Sequence, residues 1–192
     1  RVISGKFKKK KLLLPDPKIT RPLRDYVKES LFNLLTHTKS LNFKFDKSIV
    51  LDVFSGSGSF GIECLSRGSE KVVFIEKNKD SLATLNKNIK NLFLSNQCDV
   101  IFGDFLKVDL NEALKKNVSL IFLDPPFEYK FLEKMFDKLE KYQDKLEESL
   151  FIIHYEESNE FKFDIRLNII MKKKYGRSII AFAKVKSWMY LA

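Results

Sequence analysis

An α/β fold built on a mostly parallel sheet is predicted by three features of this 192-residue chain. An apolar, β-branched run at residues 49–54 ends in Gly56-x-Gly58-x-x-Gly61 and passes at once into a helical pattern. Apolar runs of strand length then alternate with segments at helical period as far as residue 155, as in a sheet covered by helices. Finally, residues 167–174 and 178–184 pair around Tyr175-Gly176-Arg177, a hairpin that gives the sheet an antiparallel end.

Taken in order, residues 1–14 alternate early (Val2, Ile3, Phe7) and fit a short hairpin or extended arm with Ser4-Gly5 as its turn or bulge. Lys6, Lys8, Lys9, Lys10 and Lys11 are interrupted only by Phe7, a run suited to phosphates but not to reading bases. Pro15-Asp16-Pro17 breaks the chain as a linker. Thr20-Arg21-Pro22 opens a helix with Asp25 and Glu29 toward its positive end and an apolar stripe of Leu23, Val27, Leu31, Leu34 and Leu35. Its opposite face carries Arg21, Arg24 and Lys28, either an ordinary solvated face or a contact for a substrate.

Residues 42–47 lead into the first strand, and the helix after its glycine turn, residues 60–65, is closed by Gly68. The turn exposes backbone N–H groups that no Cβ obstructs, at the positive end of a helix. The next strand, residues 71–76, ends in Glu76, twenty positions after Gly56, where a carboxylate can accept hydrogen bonds from ribose hydroxyls. Together these features point to a nucleoside-bearing cofactor. Asn78 caps a helix running to about Leu92 with Leu82, Leu85, Ile89 and Leu92 inside. The third strand, residues 99–102, ends in Gly103-Asp104, an Asp that reads as a ligand contact or a helix cap. Residues 118–124 form a central fourth strand, followed by a helix with Phe131, Met135 and Leu139 inside, and residues 150–155 form a fifth. Residues 156–164 read as an acidic loop.

Hydrophobic content of 44% with 18 Phe supports a core, and no apolar run approaches the roughly 18 residues of a membrane span. No secretory leader is expected, and Cys64 and Cys98 read as thiols of a reducing cytoplasm. Two histidines do not suggest a zinc site, and no metal is expected. The net charge of +10 is unevenly spread. Residues 1–30 carry ten Lys/Arg against three acids and residues 161–192 carry eight against one, leaving the middle slightly acidic. Two basic ends around such a centre suggest a polyanion held across one face, with nucleic acid favoured over a membrane.

The chemistry is carried by Asp124-Pro125-Pro126-Phe127, which stands at the end of the fourth strand, beside the glycine turn in a doubly wound sheet. The prolines lack N–H donors, so the corner offers carbonyl oxygens, the Asp124 carboxylate and then an aromatic plate. An acceptor-only site of this kind suits a planar NH₂ group on a base stacked against Phe127. An aryl amine is a poor nucleophile. Acceptors on both its N–H groups favour a pyramidal nitrogen, and Asp124 can take the proton as charge develops. An attack on a methyl sulfonium, with amine and methyl held in line, requires neither a metal nor a covalent intermediate.

With these residues in place the chain resembles the RsmD-like family, the 16S rRNA guanine-N2 methyltransferases that use S-adenosyl-L-methionine. The resemblance runs through Arg1-Val2-Ile3-Ser4-Gly5-Lys6 (a second glycine is more usual than Ser4), Thr20-Arg21-Pro22 with Asp25, and Lys28-Glu29 with Leu31-Phe32-Asn33. It continues through Asp52-Val53-Phe54-Ser55-Gly56-Ser57-Gly58 with Gly61 and Glu63, then Glu76, Asp124-Pro125-Pro126-Phe127 and Tyr175-Gly176. It implies a Rossmann-like class I methyltransferase with a seven-stranded, mostly parallel sheet and an antiparallel C-terminal hairpin. Residues 1–40 would be a basic, substrate-facing arm and helix, and residues 41–192 the cofactor-binding domain. It further implies that Asp52, Phe54, Ser55, Gly56, Ser57, Gly58, Gly61, Glu76, Lys77, Asp104 and Phe105 surround the cofactor, with Glu76 on the ribose and Asp104 near adenine. Asp124, Pro125, Pro126 and Phe127 would meet the target base, and Lys6, Lys8 to Lys11, Arg21, Arg24 and Lys28 the RNA. The expected substrate is 16S rRNA in a partly assembled small ribosomal subunit, and the protein is expected to be a cytoplasmic monomer. The same tetrapeptide also serves adenine-N6 or a glutamine amide. An NAD-linked oxidoreductase and a non-catalytic RNA-binding module are the other readings.

Overall fold

The computed structural model describes residues 1–16, 23, 25–126, 129–157 and 167–186. A helix α1 (Asp25–His37) is followed by β1 (Ile49–Val53), α2 (Ser59–Ser66), β2 (Lys71–Glu76), α3 (Lys79–Asn91) and β3 (Cys98–Phe102). Then come α4 (Leu110–Ala113), β4 (Leu120–Leu123), α5 (Tyr129–Glu140), α6 (Gln143–Leu146), β5 (Leu150–Glu156), β6 (Leu167–Tyr175) and β7 (Ser178–Val185). The seven strands form one sheet in the order β3-β2-β1-β4-β5-β7-β6. The first five are parallel, and β7 lies antiparallel to both β5 and β6, as the hairpin signal predicts.

Both faces of the sheet are covered, which is why β1, β4 and β5 read as continuous apolar runs rather than alternating ones. Successive side chains point to opposite faces. Leu51, Val53, Ile121, Leu123 and Ile153 enter one core layer with α4, α5 and α6. Val50, Phe74, Leu120, Phe122 and Ile152 enter the other with α1, α2, α3 and the N-terminal segment. Gly61 sets how closely α2 approaches β2: a Cβ there would lie 2.4 Å from Phe74 Cε1 and 2.7 Å from Val72 Cγ1.

Local differences from the sequence reading have simple causes. The buried stripe of α5 is Leu132, Met135, Phe136 and Leu139. Phe131, expected inside, is half-buried one step around the helix, its ring 5.5 Å from that of Phe54. The single turns α4 and α6 have four residues each, too few to show a period. The opening of the first helix at Thr20, Arg21 and Pro22 lies outside the described residues.

The N-terminal arm is bound into the fold. Val2 N–H donates to Lys10 O (2.9 Å) and Lys9 N–H to Val2 O (3.0 Å), closing the expected hairpin-like loop. Gly5, at φ 80°, presses on the end of α2, where a Cβ would stand 1.8 Å from Ser66 O. The buried Glu63 carboxylate accepts from Ile3 N (2.7 Å), Ser4 N (3.0 Å) and Arg67 Nε (2.8 Å). Asn88 on α3 exchanges two hydrogen bonds with Leu13. Val2 and Leu12 are buried in the same core layer as α1 and α2. Lys28 requires a correction: expected on the solvated, RNA-facing side of its helix, it is 1% exposed. Its Nζ donates to Arg1 O (2.6 Å) and Ser59 Oγ (2.9 Å). The four-residue step from Val27 to Leu31 leaves Lys28 beside the stripe, and the arm folds over it, so its charge serves the arm's attachment rather than a phosphate.

Gly61→Val is expected to destabilise the protein by about 3 kcal/mol through overpacking against Phe74 and Val72. Urea titration should show a lower midpoint with unchanged m.

Candidate active site

The register assembles the site. Asp52 stands opposite Phe74 on β2 and Phe122 on β4, and Phe122 stands opposite Ile152 on β5. Two residues beyond those partners, at the carboxyl ends of their strands, come Glu76, Asp124 and His154. A period of two carries all four side chains to one face of the sheet. Strands β1 and β4 are adjacent, so the glycine turn and Asp124 are neighbours across roughly one strand spacing of about 4.8 Å.

The turn itself is drawn tight by these carboxylates. Phe54 (φ 62°), Gly56 (φ 54°) and Gly58 (φ 76°) are left-handed. Glu76 Oε2 accepts from Gly56 N (2.7 Å) and its Oε1 from Asn78 N (2.7 Å), so one side chain ties the turn to the start of α3. Asp52 Oδ2 accepts from Gly61 N (2.9 Å) in the first turn of α2. Burial pushes the Asp52 carboxyl well up from its ordinary value, and the negative charges of Asp124 and Glu76 push the same way, against the Gly61 hydrogen bond. Ser55 Oγ donates to Asp52 O (2.6 Å) and Ile75 O (3.1 Å), and Ser57 O accepts from Asn88 Nδ2 (2.9 Å). Through Asn88 the turn is therefore hydrogen-bonded to the same side chain as the N-terminal arm.

The other predicted residues distribute as follows. Asp104 lies beside Glu76, since Gly103 N donates to Glu76 O (3.0 Å), and its Oδ1 accepts from Leu106 N (3.0 Å) as a local cap. Lys77 is exposed at the end of β2. Phe105 is 1% exposed, a core side chain packed on Phe54 at 5.5 Å with Lys138 Nζ over its ring. Pro125 is buried and Pro126 exposed, while Phe127, Arg21 and Arg24 lie outside the described residues. Lys6 and Lys8 to Lys11 are exposed.

The sequence reading did not single out His154. Its Nδ1 lies 2.8 Å from Asp124 Oδ1, with the imidazole 11% and the carboxylate 25% exposed. A polar residue at the end of the otherwise apolar run LFIIHY, level with Asp124 one strand away, was the available signal. Burial disfavours the imidazolium, but the Asp124 charge, the hydrogen bond to it and Glu156 outweigh burial and hold the His154 pKa above its ordinary 6.5. The carboxylates, in turn, fit a cationic cofactor: the charges acting on Asp52 from its surroundings are both negative, and a sulfonium would relieve that repulsion.

Since the folded pKa of His154 is raised, its stabilising contribution is complete below pH 6.5 and lost as pH rises through the raised value. Urea titrations across that range should show a larger stability gap between wild type and His154→Asn on the acid side than on the alkaline side. A constant gap would contradict the pairing.

Comparison with known proteins bears on the family and the fold. Residues 1–184 match the family described as Conserved hypothetical protein 95. The chain is 33% identical over 187 residues to the Bacillus subtilis (strain 168) protein named "Putative rRNA methyltransferase YlbH", covering 96% of this chain and 98% of that one. It is 38% identical over 138 residues to ribosomal RNA small subunit methyltransferase D of Haemophilus influenzae, covering 70% and 67% of the two. Its structure matches "Putative methyltransferase yhhF from Escherichia coli" with a TM-score of 0.77 at 25% identity, covering 97% of each chain. The seven-stranded class I methyltransferase sheet, closed by its antiparallel hairpin, and the match along nearly the whole chain lead to one conclusion: the chain belongs to the RsmD-like family of rRNA methyltransferases.

Proposed function

We propose that this protein methylates the exocyclic N2 amine of a guanine in 16S ribosomal RNA, using S-adenosyl-L-methionine. The observation that carries the reading is Asp124, partly open at the same end and face of the sheet as the Asp52 and Glu76 carboxylates that brace the glycine turn. The relatives named as small-subunit rRNA methyltransferases support rRNA as the substrate.

In this reading the turn from Phe54 to Gly58, with Asp52, holds the methionine end of the cofactor, Glu76 accepts from its ribose, and Asp104 borders its adenine. Bound there, the cofactor supplies an electrophilic methyl carbon on sulfur. Asp124 and the Pro125 carbonyl accept the two N–H groups of the amine and aim its lone pair at that carbon, while Phe127 stacks on the base. As the nitrogen–carbon bond forms, the carbon–sulfur bond breaks and its electron pair stays on sulfur. The surplus proton on nitrogen passes to Asp124, assistance worth roughly 10²–10⁴-fold.

The RNA would lie across two basic surfaces. One is the exposed run Lys6 and Lys8 to Lys11, to which Arg21 and Arg24 would add. The other is the tip of the β6–β7 hairpin: Glu156 stands opposite Ser178, so the tip rises at the same end of the sheet as Asp124, with Lys173 and Arg177 exposed. A cytoplasmic monomer acting on a partly assembled small subunit belongs to the same proposal.

Small subunits from a strain lacking the modification, incubated with labelled S-adenosyl-L-methionine, should yield label in N2-methylguanosine by nucleoside mass spectrometry. Label in an adenine nucleoside, or none, would defeat the assignment. Asp124→Ala should lower the rate by at least about 10²-fold. Replacing Lys8, Lys9 and Lys10 by Glu should raise KM for the RNA, with kcat little changed. The same replacement should flatten the salt dependence of binding by about one unit of slope for each phosphate no longer neutralised.

A further inference from the structure

We propose that His154 is a positioning residue for methyl transfer: it holds one oxygen of Asp124 and thereby commits the other to the substrate amine. This deepens the reading above and rests on it.

The geometry favours that division of labour. Asp124 Oδ1 is the atom at 2.8 Å from His154 Nδ1, leaving Oδ2 as the oxygen for a ligand. The imidazole is the more buried partner, so it forms the wall and the carboxylate the open side. A carboxylate torsion is broad and roughly two-fold, so without a fixed donor Asp124 would sample orientations that present neither oxygen squarely to the amine. His154 is itself held by β5, between Phe122's partner Ile152 and the pairing of His154 with Ile180 on β7.

The charge environment adds a second reason. Asp52 and Asp124 repel each other through their carboxylates. A donor from His154 on Oδ1 offsets that negative charge while Oδ2 stays an acceptor for the amine. Among the described residues, the groups that act on or pair with His154 include Asp124 at the end of β4, Glu156 on its own strand and the uncharged Ile180 on β7. With Nδ1 protonated, His154 donates to Oδ1 and keeps Asp124 an acceptor without drawing on the cofactor.

The test uses the full chain and small subunits lacking the modification, comparing wild type with His154→Leu, His154→Asn and Asp124→Asn. Asn places an N–H where Nδ1 stood and should retain kcat within about 3-fold, whereas Leu should lower kcat about 10- to 100-fold, the size of effect that misplacing a reacting group produces. KM for cofactor and RNA should stay within about 2-fold of wild type in both, since positioning acts on the reacting atoms rather than on binding. Wild-type kcat in His154→Leu overturns the inference, as does an equal loss in Leu and Asn or a loss confined to KM. If the leucine variant does not fold, His154→Gln, whose amide reaches the position of Nε2 rather than Nδ1, takes its place: slow turnover is expected, and wild-type turnover overturns the inference. Asp124→Asn separates the two levels. If it is inactive while His154→Leu is unimpaired, the inference alone falls. If it is fully active, the role given to Asp124 falls and the inference with it.

Discussion

The structure depends on a register. Four parallel strands are aligned so that Asp52, Phe74, Phe122 and Ile152 stand side by side. On β2, β4 and β5 the residues two places further along, Glu76, Asp124 and His154, reach the carboxyl edge on the same face, while on β1 the left-handed Phe54 turns to the other core layer. Because the side-chain period of a strand is two, a slip of one residue in β4 would send Asp124 to the opposite face, away from Glu76 and His154. The apolar layers prevent the slip. Leu120 and Phe122 belong to one core layer, Ile121 and Leu123 to the other, and an exchange would misfit both. Packing of the core thus sets the geometry of the chemistry.

That geometry concentrates negative charge. Asp52 is fully enclosed and its carboxyl pushed well up by burial, with the nearby carboxylates adding to the effect. Such a cluster is a liability for folding and an asset for holding a cation, a conflict common at functional sites. Hydrogen bonds from Gly56, Asn78 and Gly61 offset part of the cost and simultaneously shape the turn. The acids therefore work twice: they brace the backbone of the glycine turn and gather negative charge beside it.

The N-terminal arm illustrates how basic composition and folded position differ. Its exposed lysines sit on a loop fastened to α2 by Glu63 and Ser66 and to α3 by Asn88. Asn88 also holds Ser57 O, so a single side chain joins the basic loop to the glycine turn. Lys28, alike in type to those surface lysines, lies beneath the arm as its anchor.

By itself the sequence determined the fold class and the two motifs, because these are local. Residues 49–61 write out a strand, a turn and a helix start; Tyr175-Gly176-Arg177 marks a hairpin; and Asn78 caps its helix as read, accepting from Asp80 and Ser81. Tertiary structure decided what depends on neighbours distant in the chain. Lys28 is buried because residues 1–4 fold over it, Phe105 is core because Phe54 and Lys138 enclose it, and His154 meets Asp124 because β5 pairs with β4 thirty residues away. Residue type and spacing state what a segment can form, while burial and partnership arise only when strands meet in register.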